Sequence, residues 1–76
     1  VQSESAATLT IGSLINRQRQ VLCITQRDLA EKVGVTQAAV AKWETGVSVP
    51  ALRHRKQLAE ALGVHLSFLF PTEQAV

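Results

Sequence analysis

Apolar residues recur along this chain at intervals of three and four, the spacing that lines one face of an α-helix. Ile11, Ile15 and Leu22 make the first stripe, with Leu14 at its margin. Leu29, Ala30 and Val33 make the second, Val40 and Trp43 the third, and Leu52, Leu58, Ala59 and Leu62 the fourth. Leu66 and Leu69 close the series. There is little β-branched alternation and no Asn-Gly hairpin signal, so strands are not expected. The pattern predicts five short helices: about Leu9 or Thr10 to Leu22, Gln26 to Val33, Thr36 or Gln37 to Thr45 or Gly46, Pro50 to Leu62, and Leu66 to Phe70.

Punctuation between the stripes supports these limits. Thr8 or Thr10 caps the first helix, and Cys23-Ile24 connects it to the second with Ile24 turned inward. Thr25-Gln26-Arg27-Asp28 is a capping box with Asp in place of Glu. Gly34 stands where the second helix must stop in the left-handed region, Val35 is the apolar plug of that turn, and Thr36 is a ready N-cap for the third. Gly46 to Pro50 reads as a loop, Pro50 suits the entry of the fourth helix, and Gly63 ends it. Residues 1–8 and 71–76 read as fraying tails on one domain spanning 9–70. Seventy-six residues are near the lower limit for a self-sufficient core.

Residues 26–45 carry the most information. Two short helices meet at a glycine turn, and the small Ala30 lets the second cross close above the first. The second buries Val40 and Trp43 and turns Gln37, Ala38, Ala41, Lys42 and Thr45 outward. A steep helix pair with a polar second helix is the arrangement that lays a helix into the major groove of DNA.

Charge agrees with that expectation. The formal net charge is +2, but every basic residue lies between Arg17 and Lys56. Eight basic residues there face only Asp28, Glu31 and Glu44, a net of +5. A polyanion met by one side of the domain fits this distribution.

The turn and buried positions Leu29, Ala30, Val33, Gly34, Val35, Val40 and Trp43 resemble the helix-turn-helix of the Cro and phage-repressor (XRE-like) family. The likeness extends to Ile11-Gly12, Ile15 and Arg19 upstream. Downstream it takes in Trp43-Glu44-Thr45-Gly46, Pro50, Leu58 to Val64 and Leu66 to Leu69, so that roughly Leu9 to Phe70 is covered. It implies an all-α, five-helix, lambda-repressor-like DNA-binding domain. Four departures stand out. Cys23 replaces the common glycine, so the end of the first helix is expected to be less sharply terminated. Ala38 and Ala41 are shorter than the polar groups usual there. The loop after the third helix is uncharged. Arg55 and Lys56 stand where aliphatic residues are usual, so the fourth helix is expected to sit differently or slip in register.

The resemblance also assigns roles. Gln26 is expected to offer its side-chain amide and the second helix's N-terminus to a phosphate. Gln37 can donate and accept at once, matching N6 and N7 of adenine, and Ala38 and Ala41 can touch a thymine methyl. Lys42 reaches either a guanine or a phosphate, and Thr36 or Thr45 adds to the readers. So few direct readers leave more of the specificity to DNA shape. Arg19 and Glu44 are expected to pair between the first and third helices, orienting Arg19 toward a phosphate, with Arg17 a second phosphate candidate. The loop Thr45-Gly46-Val47-Ser48 should offer amide donors and Ser48. Arg53 and Arg55, with His54 between them, supply positive charge from the fourth helix.

Nothing in the chain suggests an enzyme. His54 and His65 lie on different elements with no Cys or carboxylate at metal spacing. There is no glycine-rich phosphate loop, nucleophile motif or paired-carboxylate site. No cofactor or metal is expected. No apolar run approaches a membrane span, and no signal peptide precedes the domain. The single Cys23 has no internal disulfide partner and reads as a structural thiol, which suits a reducing cytoplasm. Without a methionine, the chain is either a processed complete protein or an excised domain. The expected partner is double-stranded DNA, met by a homodimer on a palindromic operator, with Phe68 or Phe70 in the dimer interface or else both rings closing the monomer core. An antitoxin or restriction-controller variant would add a protein partner. A protein-interaction scaffold of the same fold is the rival from another class.

Overall fold

The computed structural model describes residues 10–70, and the expected tails at 1–8 and 71–76 lie outside them. Among the described residues, five helices occur in the expected order: α1 Ile11–Val21, α2 Gln26–Val33, α3 Gln37–Thr45, α4 Leu52–Leu62 and α5 Leu66–Leu69. Helices α2 and α3 pack on each other, α1 packs on α3, and α4 packs on α2 and α5. No strand occurs among the described residues.

Local chemistry accounts for each boundary. Thr10 caps α1 by accepting from the Ser13 amide at 3.2 Å. The capping box at α2 is complete: the Asp28 amide donates to Thr25 Oγ1 at 3.0 Å, and the Thr25 amide donates to Asp28 Oδ2 at 3.1 Å. Gly34 follows with φ of 88°, where a side chain would strain the backbone. Thr36 caps α3 through the Ala39 amide at 3.1 Å. Pro50 is fully buried just ahead of α4.

The end of α1 departs from expectation. Cys23 occupies the left-handed region with φ of 59°, so the helix stops as sharply as a glycine would stop it. The Ile24 amide reaches back to the Arg19 carbonyl and the Cys23 amide to Gln20, both at 3.1 Å, a closing pair that satisfies two otherwise orphan carbonyls. An L side chain in that region costs roughly 1–2 kcal/mol, partly offset by the greater freedom glycine has in the unfolded chain. Cys23→Gly is therefore expected to raise stability by about 1 kcal/mol. The measurement is the urea midpoint at constant slope; an unchanged or lowered midpoint would show that the conformation carries no such cost.

Ile15, Leu29, Val40, Leu58 and Leu62 are fully buried, with Ala30, Val33, Trp43, Ala59, Leu69 and Phe70 completing the core. Val35, Ile24, Ile11, Leu14 and Leu66 pack against its edge. Two stripe residues expected inside lie outside: Leu22 is 40% exposed and Leu52 72%. Leu22 falls past the last turn of α1, and Leu52 opens α4 before that helix reaches the core. The slip in register expected of α4 from Arg55 and Lys56 does not occur: Leu58, Ala59 and Leu62 face inward, as the apolar stripe predicts. Arg55 bends its guanidinium over the Phe70 ring at 4.6 Å and donates from Nε to the Pro50 carbonyl at 3.1 Å. Its guanidinium is thus engaged at the α4–α5 end of the domain, whereas Arg53 is exposed.

The two phenylalanines separate. Phe70 is 8% exposed and belongs to the core, whereas Phe68 is 47% exposed. Phe68 borders a shallow cleft with Leu14, Arg17, Gln18 and Val21. Gln18 also ties α1 to the end of α4, donating to the Leu62 carbonyl at 3.2 Å.

Candidate nucleic-acid interface

Helix α3 is rooted by Val40 and Trp43 and presents the rest of its surface outward. Gln37, Ala38, Lys42 and Thr45 are exposed, and Ala41 is half-buried. Neither Gln37 nor Lys42 makes a side-chain hydrogen bond within the described residues, so both retain their full donor capacity. Thr36 and Thr45 are less available. The Thr36 oxygen already accepts from its own helix, and the Thr45 hydroxyl donates back to the Ala41 and Lys42 carbonyls at 3.1 and 3.3 Å.

The following loop also differs from expectation. Its amides are turned inward: Val47 and Ser48 both donate to the Lys42 carbonyl, at 3.0 and 3.3 Å, and Gly46 donates to Trp43 at 3.3 Å. These bonds cap the end of α3 and leave the exposed Ser48 hydroxyl as the loop's outward donor. Val47 and Val49 stand exposed on either side of it.

A polar socket joins three helices at the inner end of α3. Glu44 is its centre, with only 5% of its side chain exposed. Arg19 donates from Nε to Glu44 Oε2 at 2.7 Å and from Nη2 to Oε1 at 3.1 Å, a two-pronged pair. Arg19 Nη1 donates to the Ile24 carbonyl at 3.0 Å, so the guanidinium is held on both sides. Asn16 Nδ2 and Gln26 Nε2 each add a bond to Glu44 Oε1 at 3.0 Å. The expected Arg19–Glu44 pair is present, but it is no loose surface bridge. Gln26, expected to point its amide at a phosphate, gives one of its two Nε2 hydrogens to Glu44 and keeps the second. Its helix N-terminus remains available, because the α2 capping box engages the Thr25 and Asp28 amides and leaves those of Gln26 and Arg27.

Burial pushes the Glu44 carboxyl up, but hydrogen bonds from Arg19, Asn16 and Gln26 and the charge of Arg19 outweigh it and hold the group below its ordinary 4.5. The bond to Glu44 in turn raises Arg19. Asp28 is also lowered, chiefly by the Thr25 amide. A carboxyl depressed in the folded state contributes stability that is complete above its unfolded value and lost as pH falls through the folded one. Melting temperature should therefore be flat from neutrality to about pH 5 and fall below it. Glu44→Gln should melt lower at pH 7 and lose less on acidification. Parallel slopes for the two proteins in a pH series of thermal melts would refute the assignment.

Arg17 and Arg53 are exposed as expected. Arg27 meets Glu31 at 3.6 Å in an open surface pair that contributes little. Asn16 and Gln20 carry functional geometry that the sequence reading missed. Gln20 Nε2 donates to Asn16 Oδ1 at 2.8 Å, bracing the side chain that holds Glu44. The available signal was spacing: Asn16 precedes Arg19 by three residues and so shares its helix face. No group of three or more His, Cys, Asp or Glu able to hold a metal occurs among the described residues, and no described helix is long and apolar enough to cross a membrane.

The helix-turn-helix family model matches residues 17–69. An uncharacterized helix-turn-helix-type transcriptional regulator of Methanothermobacter thermautotrophicus is 39% identical over 59 residues, covering 76% of this chain and 86% of that protein. Endothelial differentiation-related factor 1 of Rattus norvegicus is 34% identical over 59 residues, covering 78% of this chain. The chain spans only 40% of that relative's length. The P22 c2 repressor, solved in complex with synthetic operator 9T in the presence of Tl+, superposes with a TM-score of 0.78 at 31% identity. That likeness covers 82% of this chain and 94% of the repressor chain.

Proposed function

This chain belongs to the helix-turn-helix family of Cro and phage-repressor type, and from that premise we propose that it binds double-stranded DNA sequence-specifically as a transcription regulator. The observation that carries the reading is α3: Gln37 and Lys42 stand exposed and uncommitted on a helix whose other face is locked into the core by Val40 and Trp43. Laid in the major groove, Gln37 pairs with an adenine, while Ala38 and Ala41 admit close approach and meet a thymine methyl. Lys42 neutralises a phosphate. The free amides at the start of α2 and the remaining N–H groups of Arg19 take neighbouring phosphates. Thr36, Thr45 and Ser48 are secondary contacts, since the two threonines are partly engaged within the protein.

The regulator acts as a homodimer on a palindromic operator, in the manner of a repressor. Phe68 is the ring assigned to the two-fold contact, because Phe70 is consumed by the monomer core. Two recognition helices about 34–36 Å apart would then read successive major grooves.

Selection from a random duplex library, followed by binding titrations at several salt concentrations, tests this. Gln37→Ala should lose about 1–3 kcal/mol of preference at one base position and keep its nonspecific affinity. Lys42→Ala should weaken binding to every duplex and lower the salt slope by about one. Phe68→Ser should bind half-sites normally but lose cooperativity on the full site by sedimentation. The exposed Val47, Val49 and Leu52 together with the inward-turned loop amides favour a second reading, a protein-interaction module. That module would show no steep salt slope on any duplex.

A further inference from the structure

We propose that Asn16 is a positioning residue of the DNA interface, acting through Glu44 to hold Arg19 and the end of α3 in their working geometry. The proposal rests on the DNA reading above and extends it to a residue outside the expected interface. Asn16 lies on α1 and Glu44 on α3, 28 positions apart, and they meet at 3.0 Å.

The orientation of the Asn16 amide follows from its partners. Its Oδ1 accepts from Gln20 Nε2 at 2.8 Å, which requires the oxygen to face Gln20. The opposite edge then presents Nδ2 to Glu44 Oε1, a carboxylate oxygen that can only accept. A flipped amide would set oxygen against oxygen at Glu44, a clash that no rotation of the Gln20 amide relieves. One orientation therefore satisfies both neighbours.

Glu44 depends on this arrangement. The guanidinium of Arg19 fixes one side of the carboxylate, but Oε1 is shared among Arg19, Asn16 and Gln26. Donors from α1 and α2 converge on it from different directions and prevent rotation about the Arg19 fork. Arg19 is the charged group facing Glu44 from α1, and α2 contributes only the neutral Gln26. Three of the five guanidinium N–H groups are consumed within the protein, which leaves one on Nη1 and one on Nη2. A fixed guanidinium aims those two, whereas a rotating Glu44 would release the aim and loosen the end of α3.

Two variants separate positioning from simple stability. Asn16→Asp keeps size and the acceptor for Gln20 but puts a second carboxylate against Glu44. Asn16→Ala removes both bonds without adding charge. The titration of the Glu44 carboxyl and the solvent exchange of the Arg19 Nε proton, followed by NMR in the free protein, should respond in both. The carboxyl should titrate at higher pH, more so in Asn16→Asp, and the Nε proton should exchange faster. Affinity for random-sequence duplex at low salt should fall roughly threefold or more in each, with helical content retained. Unchanged Glu44 titration and Arg19 exchange would overturn the proposal, as would unchanged duplex affinity in variants whose socket has loosened. Wild-type protein that binds no duplex overturns the DNA reading itself, whereas wild type that binds and variants that bind equally overturn the role of Asn16 alone.

Discussion

Trp43→Ala is expected to lower stability by about 3–5 kcal/mol, the cost of a large cavity in a close-packed core. Trp43 is 3% exposed, sits on the inner face of α3 and contacts His54 of α4 with ring centroids 6.4 Å apart. A domain of this size has about 4–11 kcal/mol in total at 0.05–0.15 kcal/mol per residue. The substitution thus removes about a quarter of the stability at best and all of it at worst. Because the same side chain roots the proposed reading helix, DNA affinity should fall with it. Equilibrium urea unfolding gives the first quantity, and circular dichroism at low temperature shows whether the chain folds at all. A loss below 1 kcal/mol would mean that α3 is anchored by something other than its tryptophan.

The second large effect is expected at Gly12, on the buried side of α1. A Cβ built there would lie 2.3 Å from the Trp43 carbonyl oxygen and 2.8 Å from that of Glu44. Both obstacles are backbone, so no side-chain rotation relieves them. Alanine is normally the better helix former by about 1 kcal/mol. Here the end of α3 must move away, and overpacking of this kind costs about 1–3 kcal/mol or more. The displacement acts directly on Glu44 and hence on its bonds to Asn16, Arg19 and Gln26. Gly12→Ala should therefore unfold at lower urea and exchange the Arg19 Nε proton faster. A variant as stable as wild type with a protected Nε proton would show that the two helices have room to spare. Gly34 makes the instructive contrast: nothing lies near its missing Cβ, and its φ of 88° alone demands glycine.

Much of the candidate site was legible residue by residue. The capping box at Thr25 and Asp28, the left-handed Gly34 and the cap at Thr36 were readable because each depends on neighbours within four positions. Val40 and Trp43 inward with Gln37 and Lys42 outward follow from helical periodicity alone. The same periodicity erred at Leu22 and Leu52, since a stripe says which residues share a face but not where the partner helices stop covering it.

What this sequence determined by itself is thus the helices, their caps, the glycine turn and the surface that α3 leaves free. These are short-range consequences of φ preferences, hydrogen-bonding side chains and a 3.6-residue period. Tertiary structure alone decided which phenylalanine is buried, why Gly12 must lack a side chain and where the amide of Gln26 goes. It also turned the loop amides onto Lys42 and brought Asn16 to Glu44 across 28 positions. Each of these depends on how closely and at what angle two distant helices cross. That distance comes from the whole core settling at once, and no local stretch of the chain encodes it.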